Sequence, residues 1–340
     1  MTYLLADVGG TNSRLALGDP SGLRAGTLAR FRNDDFAGFE PLVSRYLEMQ
    51  GRPGIDAACI AVAGPVGNCE ARLTNRDWSF PRDRLGAVTG TRRVLLVNDL
   101  AMLARAMPHI RPQPVHVPDL AAPDGQFLVI GIGTGFNVSL ARHDGGGLTV
   151  LAAEAGHASL PGSVLSRFAA SLGETRGGFR SIESCFSGRG LERLFHRVSG
   201  RQMDAREILR RASSADPAVE RAVTLFASAL GDLSRDLSAL YLPRGGLVFA
   251  GSVSVGILNC GTAREAFLKV FLRDPDHLPP PHEIAISLVT EDAAALWVPG
   301  AYPRNACPLN SFSSGAPSAQ VPCLGPGHPA GASGASGGSI

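Results

Sequence analysis

Twice in this chain an apolar run stops at a small glycine-rich turn and a second run leaves it. The first instance is Tyr3–Val8, then Gly9-Gly10, then Arg14–Gly18; the second is Phe127–Ile132 followed by Gly133-Thr134-Gly135. Short apolar runs bounded by glycines read as strands, and a tight glycine turn after such a run predicts a β-hairpin. Between and after them lie a helical stretch at Phe39–Met49 and further strand-like runs. Ala57–Val62 is stopped by Gly64-Pro65, Val94–Val97 leads into Asn98-Asp99, Gly246–Ala250 runs into Gly251, and Ile284–Thr290 comes last. Strands alternating with helices predict an α/β protein.

At 340 residues the chain exceeds the roughly 250 to 300 residues at which a single core stops growing, so two lobes with a cleft are expected. The division expected is a small α/β domain over 1–109, to which 288–304 returns, and a larger one over 110–287, opening near the proline-rich stretch Pro108–Pro118. In the larger unit Val219, Val223, Phe226, Leu230, Leu233, Leu237 and Leu240 recur at helical spacing. Core packing is the preferred reading of that stripe, with a homodimer seam as the alternative. Residues 305–340 turn to Gly, Ser, Pro and Ala, a low-complexity composition that buries too little apolar surface to offset its ordering entropy.

Composition removes several classes of function. The net charge is +2, and no arginine cluster combines with an aromatic series, so nothing asks for nucleic acid. Lys269 is the only lysine, which leaves no lysine for a Walker A loop or a protein-kinase site. No apolar run approaches the roughly 18 residues of a membrane span, and the first ten residues lack a secretory pattern, so a cytoplasmic protein is expected. The six cysteines are scattered without a C-x-x-C pair and read as reduced thiols.

The strongest chemical signal is Asp7–Leu17, DVGGTNSRLAL, in which a carboxylate at a strand end is followed by two glycines, a threonine and an asparagine. Glycines admit backbone N–H groups to phosphate oxygens, Thr11 and Asn12 add polar contacts, and Asp7 can hold magnesium directly or through water. Taken alone the segment is equally a plain hairpin. Asn98 and Asp99 fall where an apolar strand ends and a helical pattern begins, the end at which open α/β sheets keep their sites; alone, they could simply cap the helix. Gly131–Asn137 is spaced G-x-G-x-G and so fails the dinucleotide fingerprint. Glu154-Ala155-Gly156-His157 and the segment Glu183–Leu194 complete the series. Metal binding by Glu154 and His157 is disfavoured, because Gly156 argues for a loop.

These motifs, in this order, resemble those of bacterial glucokinases, within the actin-like, hexokinase-fold (ribonuclease H-like) sugar kinases, and the resemblance covers about residues 3–297. It implies a two-lobed kinase with ATP, magnesium and glucose in the cleft. Asp7, Gly9, Gly10, Thr11 and Asn12 correspond to the first phosphate motif, Gly133, Thr134 and Gly135 to the second, and Gly251 to the adenosine motif. Asp99 corresponds to the base that takes the proton of the sugar 6-hydroxyl. Asn98, Glu154, His157 and Glu183 correspond to residues that bind sugar hydroxyls. Asn75 and Trp78 lie in a T-N-x-x-W stretch similar to the family's, and are read here as a turn residue and a core aromatic. Three positions depart from the pattern, each replacing a usual glycine: Asn137, Ala155 and Ser252. Asn137 is expected to keep its turn by adopting a positive φ. A C-terminal helix usual in the family is interrupted here by Pro299 and Pro303. The departures keep a second reading open, a catalytically weak sugar-binding or regulatory protein on the same fold.

Overall fold

The computed structural model describes residues 1–67, 69–74, 76–118, 125–144, 147–173, 178–273 and 278–290. The first part of the chain forms β1 (Tyr3–Val8), β2 (Asn12–Asp19), β3 (Gly22–Leu23), β4 (Ala29–Arg32), α1 (Phe39–Met49) and β5 (Ala57–Val62). A small hairpin, β6 (Glu70–Arg72) and β7 (Ser79–Pro81), precedes α2 (Arg82–Thr89), β8 (Val94–Asn98) and α3 (Asp99–Ala106). Then come β9 (Gln113–His116), β10 (Gln126–Ile132), β11 (Phe136–Asp144), β12 (Gly147–Ala152), α4 (Gly162–Leu172), α5 (Ile182–Cys185), α6 (Gly188–Ser199) and α7 (Ala205–Arg210). The long α8 (Pro217–Tyr241) is followed by β13 (Gly246–Ala250), α9 (Ser252–Asn259), α10 (Gly261–Phe271) and β14 (Ile286–Leu288).

The two large sheets share one plan. In the first, ordered β3-β2-β1-β5-β8 with β4 also on β2, β1 is antiparallel to β2 and parallel to β5, and β5 is parallel to β8. In the second, ordered β12-β11-β10-β13-β14-β9, β10 is antiparallel to β11 and parallel to β13, and β13 is parallel to β14. Each is a hairpin extended by parallel crossover strands, the duplicated plan of the two-lobed actin-like fold. Central parallel strands are covered on both faces and read as continuous apolar runs. β13 is accordingly buried at all five positions.

Each sheet has its own core. Leu4, Leu15, Phe39, Tyr46, Ile60 and Phe80 pack in the first. In the second, α8 runs through the centre, with Val219, Val223, Phe226, Leu230, Leu233 and Leu237 buried and only Leu240, at the end of the stripe, exposed at 74%. The stripe is therefore core and is not available as a seam between subunits. Asp232 on its other side is buried and ion-paired with Arg167 of α4 and, at 3.0 Å, with Arg273 beyond α10, which ties the helices together.

α3 joins the two halves. It continues from β8 of the first sheet, yet its Leu100, Leu103 and Ala104 pack on Val129, Ala141 and Val248 of the second. The end of β8 is thereby held at the junction.

The expected last strand is shorter than its apolar run: only Ile286–Leu288 pairs, and Val289 donates its N–H to Phe249 O at 2.8 Å, still within the second sheet. The expectations for 291–304, for Pro299 and Pro303, and for the tail 305–340 lie outside the described residues. Cys185 and Cys260 are free thiols, whereas Cys69 is disulfide-bonded, which corrects the expectation of six reduced cysteines. No helix among the described residues is long and apolar enough to cross a membrane.

Candidate active site

The first glycine turn closes through Gly9 N–H to Asn12 O at 3.0 Å. Beneath it the buried Asn33 donates from Nδ2 to Gly9 O at 2.7 Å and from its backbone N–H to Thr11 O at 2.9 Å, and Ser13 Oγ fixes the Asn33 carboxamide at 2.7 Å. Arg76 donates to Gly10 O at 3.2 Å while pairing with Asp34 and lying over the Trp78 ring. With their carbonyls held from the protein side, the turn leaves Thr11 and Asn12 exposed. Asp7 and Arg14 sit opposite each other in the β1–β2 register, Arg14 Nη1 donating to Asp7 Oδ2 at 2.9 Å. The sequence pattern assigns no role to Arg14, which lies inside the first motif, or to Arg76, which lies between Asn75 and Trp78. Trp78 is buried beside Phe39, as its core reading expects, and Asn75 lies outside the described residues.

The second turn is built alike. Gly133 N–H donates to Gly135 O at 2.9 Å, and Gly133 O accepts from Gly188 N–H, at the start of α6, at 2.8 Å. Ser187 caps that helix through Oγ. Gly251, at φ +91°, begins α9, and a Cβ there would lie 2.5 Å from Ile132 O, so glycine is required on two counts. Two helix N-termini thus flank Gly133–Gly135, an arrangement that favours phosphate oxygens. At Gly133 itself a Cβ would meet no protein atom within 4 Å and φ is not left-handed. Packing alone therefore does not require glycine at this position. Thr134 is exposed there.

The departures from the glycine pattern have local explanations. Asn137 is not in the left-handed region: it is a β11 residue opposite Gly131, which corrects the expectation of a positive φ. Ala155 starts a 3₁₀ turn, Ala155–His157, and packs against the core of the second sheet. Ser252 is simply the first residue of α9.

The polar residues expected to meet sugar converge from both halves. Asn98 is the N-cap of α3: Oδ1 accepts from Leu100 N–H at 3.1 Å and Ala101 N–H at 3.2 Å, and Nδ2 donates to Gly64 O at 3.3 Å. That leaves one amide hydrogen. The capping alternative holds for Asn98, while Asp99 stands in the first turn with Oδ1 on Leu100 N–H at 2.9 Å. Glu183 Oε2 accepts from Phe136 N–H at 3.1 Å, tying α5 to β11. Glu154 and His157 stand exposed on either end of the 3₁₀ turn.

Their charges are coupled. Burial first, then the charge of Asp7 and last that of Glu154, push the Asp99 carboxyl up to about 7. Although Asp99 as a residue keeps some solvent contact, the carboxyl itself is surrounded by protein. Glu154 is also raised, chiefly by partial burial and further by Glu183, with His157 opposing the shift. A carboxyl raised toward neutrality beside further acids, at the end of a sheet strand, is a candidate general base.

Among the described residues no cluster of three or more His, Cys, Asp or Glu could cage a metal. Magnesium does not need one. It is commonly held by one or two carboxylates with water and substrate phosphate completing the shell, and Asp7 beside the first turn fits that mode.

The chain is similar to known proteins in sequence and in fold. The sequence model of the family described as Glucokinase matches residues 4–306. The glucokinase of Caulobacter sp. (strain K31) is 31% identical over 280 residues, covering 78% of this chain and 84% of that protein. That of Chromobacterium violaceum is 32% identical over 261 residues, 74% of each. Among solved structures, a glucokinase from an Antarctic psychrotroph matches with a TM-score of 0.70 at 24% identity, over 88% of this chain and 97% of that one. A ROK family glucokinase from Streptomyces griseus, solved with glucose and AMPPNP, matches at 0.61 and 20% identity, over 88% and 98%. One family model therefore runs through every turn built above, from Asp7 to Gly251, and on that ground the chain belongs to the glucokinase family.

Proposed function

We propose that this chain transfers the γ-phosphate of ATP to the 6-hydroxyl of glucose, giving glucose 6-phosphate and ADP. The observation that carries the reading is the position of Asp99. It follows the last residue of a strand of the first sheet, begins a helix packed on the second, and feels the charges of both Asp7 and Glu154. A hydroxyl placed there faces a base, a phosphate turn and sugar-binding acids at once.

In this mechanism Asp99 accepts the proton of the 6-hydroxyl as that oxygen bonds to the γ-phosphorus. The bond from γ-phosphorus to the bridging oxygen breaks, and ADP leaves. The two turns, Gly9–Asn12 and Gly133–Gly135, hold the phosphates with backbone N–H groups, and Gly251 admits the adenosine. Asn98 offers its remaining amide hydrogen to a sugar hydroxyl, while Glu154, His157 and Glu183 bind the others. Acceptors fixed in place reject analogues that leave them unpaired, which accounts for sugar selectivity. Asp7 would hold magnesium directly or through water, and the ion would supply charge neutralisation at the phosphates. The lobes are taken as 1–109 and 110–287, with a cytoplasmic location as the source of ATP.

The regulatory alternative rests on Asn137, Ala155 and Ser252. Each fits its place without disturbing the turns, so nothing favours loss of transfer. Glucose-dependent release of ADP from ATP with magnesium tests the proposal; glucose binding without ADP release would return the chain to the regulatory reading.

The pH dependence has a definite sign. Asp99 must be ionised to accept a proton, and with its carboxyl near 7 the ionised fraction falls as pH drops below that value. kcat/KM for glucose is expected to fall about tenfold per unit of pH on the acid side. A profile flat from pH 8 to pH 5 would remove Asp99 from the role of base.

A further inference from the structure

We propose that Asn137 is a positioning residue of the sugar site, locking the turn that carries Glu154 and His157 onto the strand that follows the second phosphate turn. The inference rests on the glucokinase reading and adds a residue to it. The side-chain oxygen Oδ1 of Asn137 accepts from Ala155 N–H at 3.1 Å and from Val138 N–H at 2.8 Å. Ala155 is the residue between Glu154 and Gly156, so the bond holds the sugar turn at its middle across 18 positions of sequence.

Two further contacts converge on the same strand. Phe136, the neighbour of Asn137, donates its N–H to Glu183 Oε2 at 3.1 Å, and its carbonyl oxygen packs against Gly156 so closely that a Cβ there would approach to 2.2 Å. The pair Phe136-Asn137 thus touches both segments bearing the proposed sugar acids, and begins one residue after Gly135. Where relatives of the resembled pattern carry glycine, no side chain could reach Ala155. In this chain the carboxamide supplies the link, so one acceptor oxygen adds to the contacts that place Glu154 and His157 relative to the phosphate turn.

Steady-state kinetics of three proteins test this: the unaltered chain, Asn137→Ala, which removes the acceptor, and Asn137→Asp, which keeps one at the same atom. Asn137→Ala is expected to raise the glucose KM about tenfold, the scale of one lost hydrogen bond, with ATP KM and kcat within about twofold. Asn137→Asp is expected to stay within about threefold of the unaltered chain for glucose KM. The rise in melting temperature on adding glucose gives a second readout and should shrink only in Asn137→Ala. An unchanged glucose KM in Asn137→Ala, an equal rise in both variants, or a loss confined to ATP KM or kcat overturns the proposal while leaving the kinase reading intact. Absence of glucose-dependent turnover in the unaltered chain overturns the kinase reading, and this inference with it.

Discussion

Asp99→Asn is expected to lower kcat by about 100- to 10,000-fold, the range that a positioned general base contributes. Glucose KM should change little, because asparagine keeps an oxygen near Leu100 N–H, where Asp99 Oδ1 now accepts at 2.9 Å, and so keeps its pose. The same substitution has a second, opposite effect. In the folded chain the Asp99 carboxyl titrates near 7, against 3.8 for an unperturbed aspartate, so between those values the native state binds more protons than the unfolded one. Its favourable contribution is complete below the unfolded value and is lost as pH rises through 7. Asparagine, which cannot ionise, should therefore raise the melting temperature relative to the unaltered chain at pH 8 and much less at pH 4. Loss of turnover with gain of stability at high pH is the outcome expected of a buried base kept for chemistry. Loss of both would mark Asp99 as a structural residue, and retention of kcat within tenfold would remove it from catalysis.

How much of this arrangement is legible in the amino-acid sequence depends on whether its cause is local. Tyr3–Val8, Phe39–Met49, Ala57–Val62 and Gly246–Ala250 are legible to the residue, because an apolar run with glycine or proline at its edge states its own ends. The duplicated sheet is legible from the repeated glycine turns. Contacts between distant segments are not. Nothing in the local pattern says that Arg76 will reach Gly10 O across 66 positions, or that Asn33 will support the first turn from 24 positions away. Asn137 misleads for a related reason. As a substitute for glycine in a turn motif it suggests a positive φ, but strand pairing with Gly131 decides its backbone and frees its side chain to bind Ala155. Asn98 is ambiguous from sequence because capping and ligand binding use the same residue type, and its carboxamide caps through the oxygen while keeping one amide hydrogen for a ligand.

The contrast between Ala155 and Gly156 yields the other large effect. In Glu154-Ala155-Gly156-His157 the first of the two usual glycines is replaced and the second retained, and the structure gives a steric reason for keeping it. A Cβ at Gly156 would lie 2.2 Å from Phe136 O and 3.2 Å from Glu183 Cβ. Phe136 cannot retreat, since it begins β11 opposite Ile132 and its N–H is bonded to Glu183. The 3₁₀ turn must move instead, carrying Glu154 and His157 with it. Gly156→Ala is therefore expected to lower kcat/KM for glucose by about 100-fold, the scale of a misplacement of roughly 1 Å in a site. Overpacking of this kind costs about 1–3 kcal/mol, so the melting temperature should also fall by several degrees. Ala155→Gly removes a methyl from a position that needs no left-handed backbone, and should leave kcat/KM within about threefold. Steady-state kinetics and thermal melting of the two variants separate the cases. Equally small effects of the two would show that the turn tolerates displacement and that its acids do not bind the sugar; a large effect at 156 alone would tie sugar binding to the fit of one backbone carbonyl against one hydrogen.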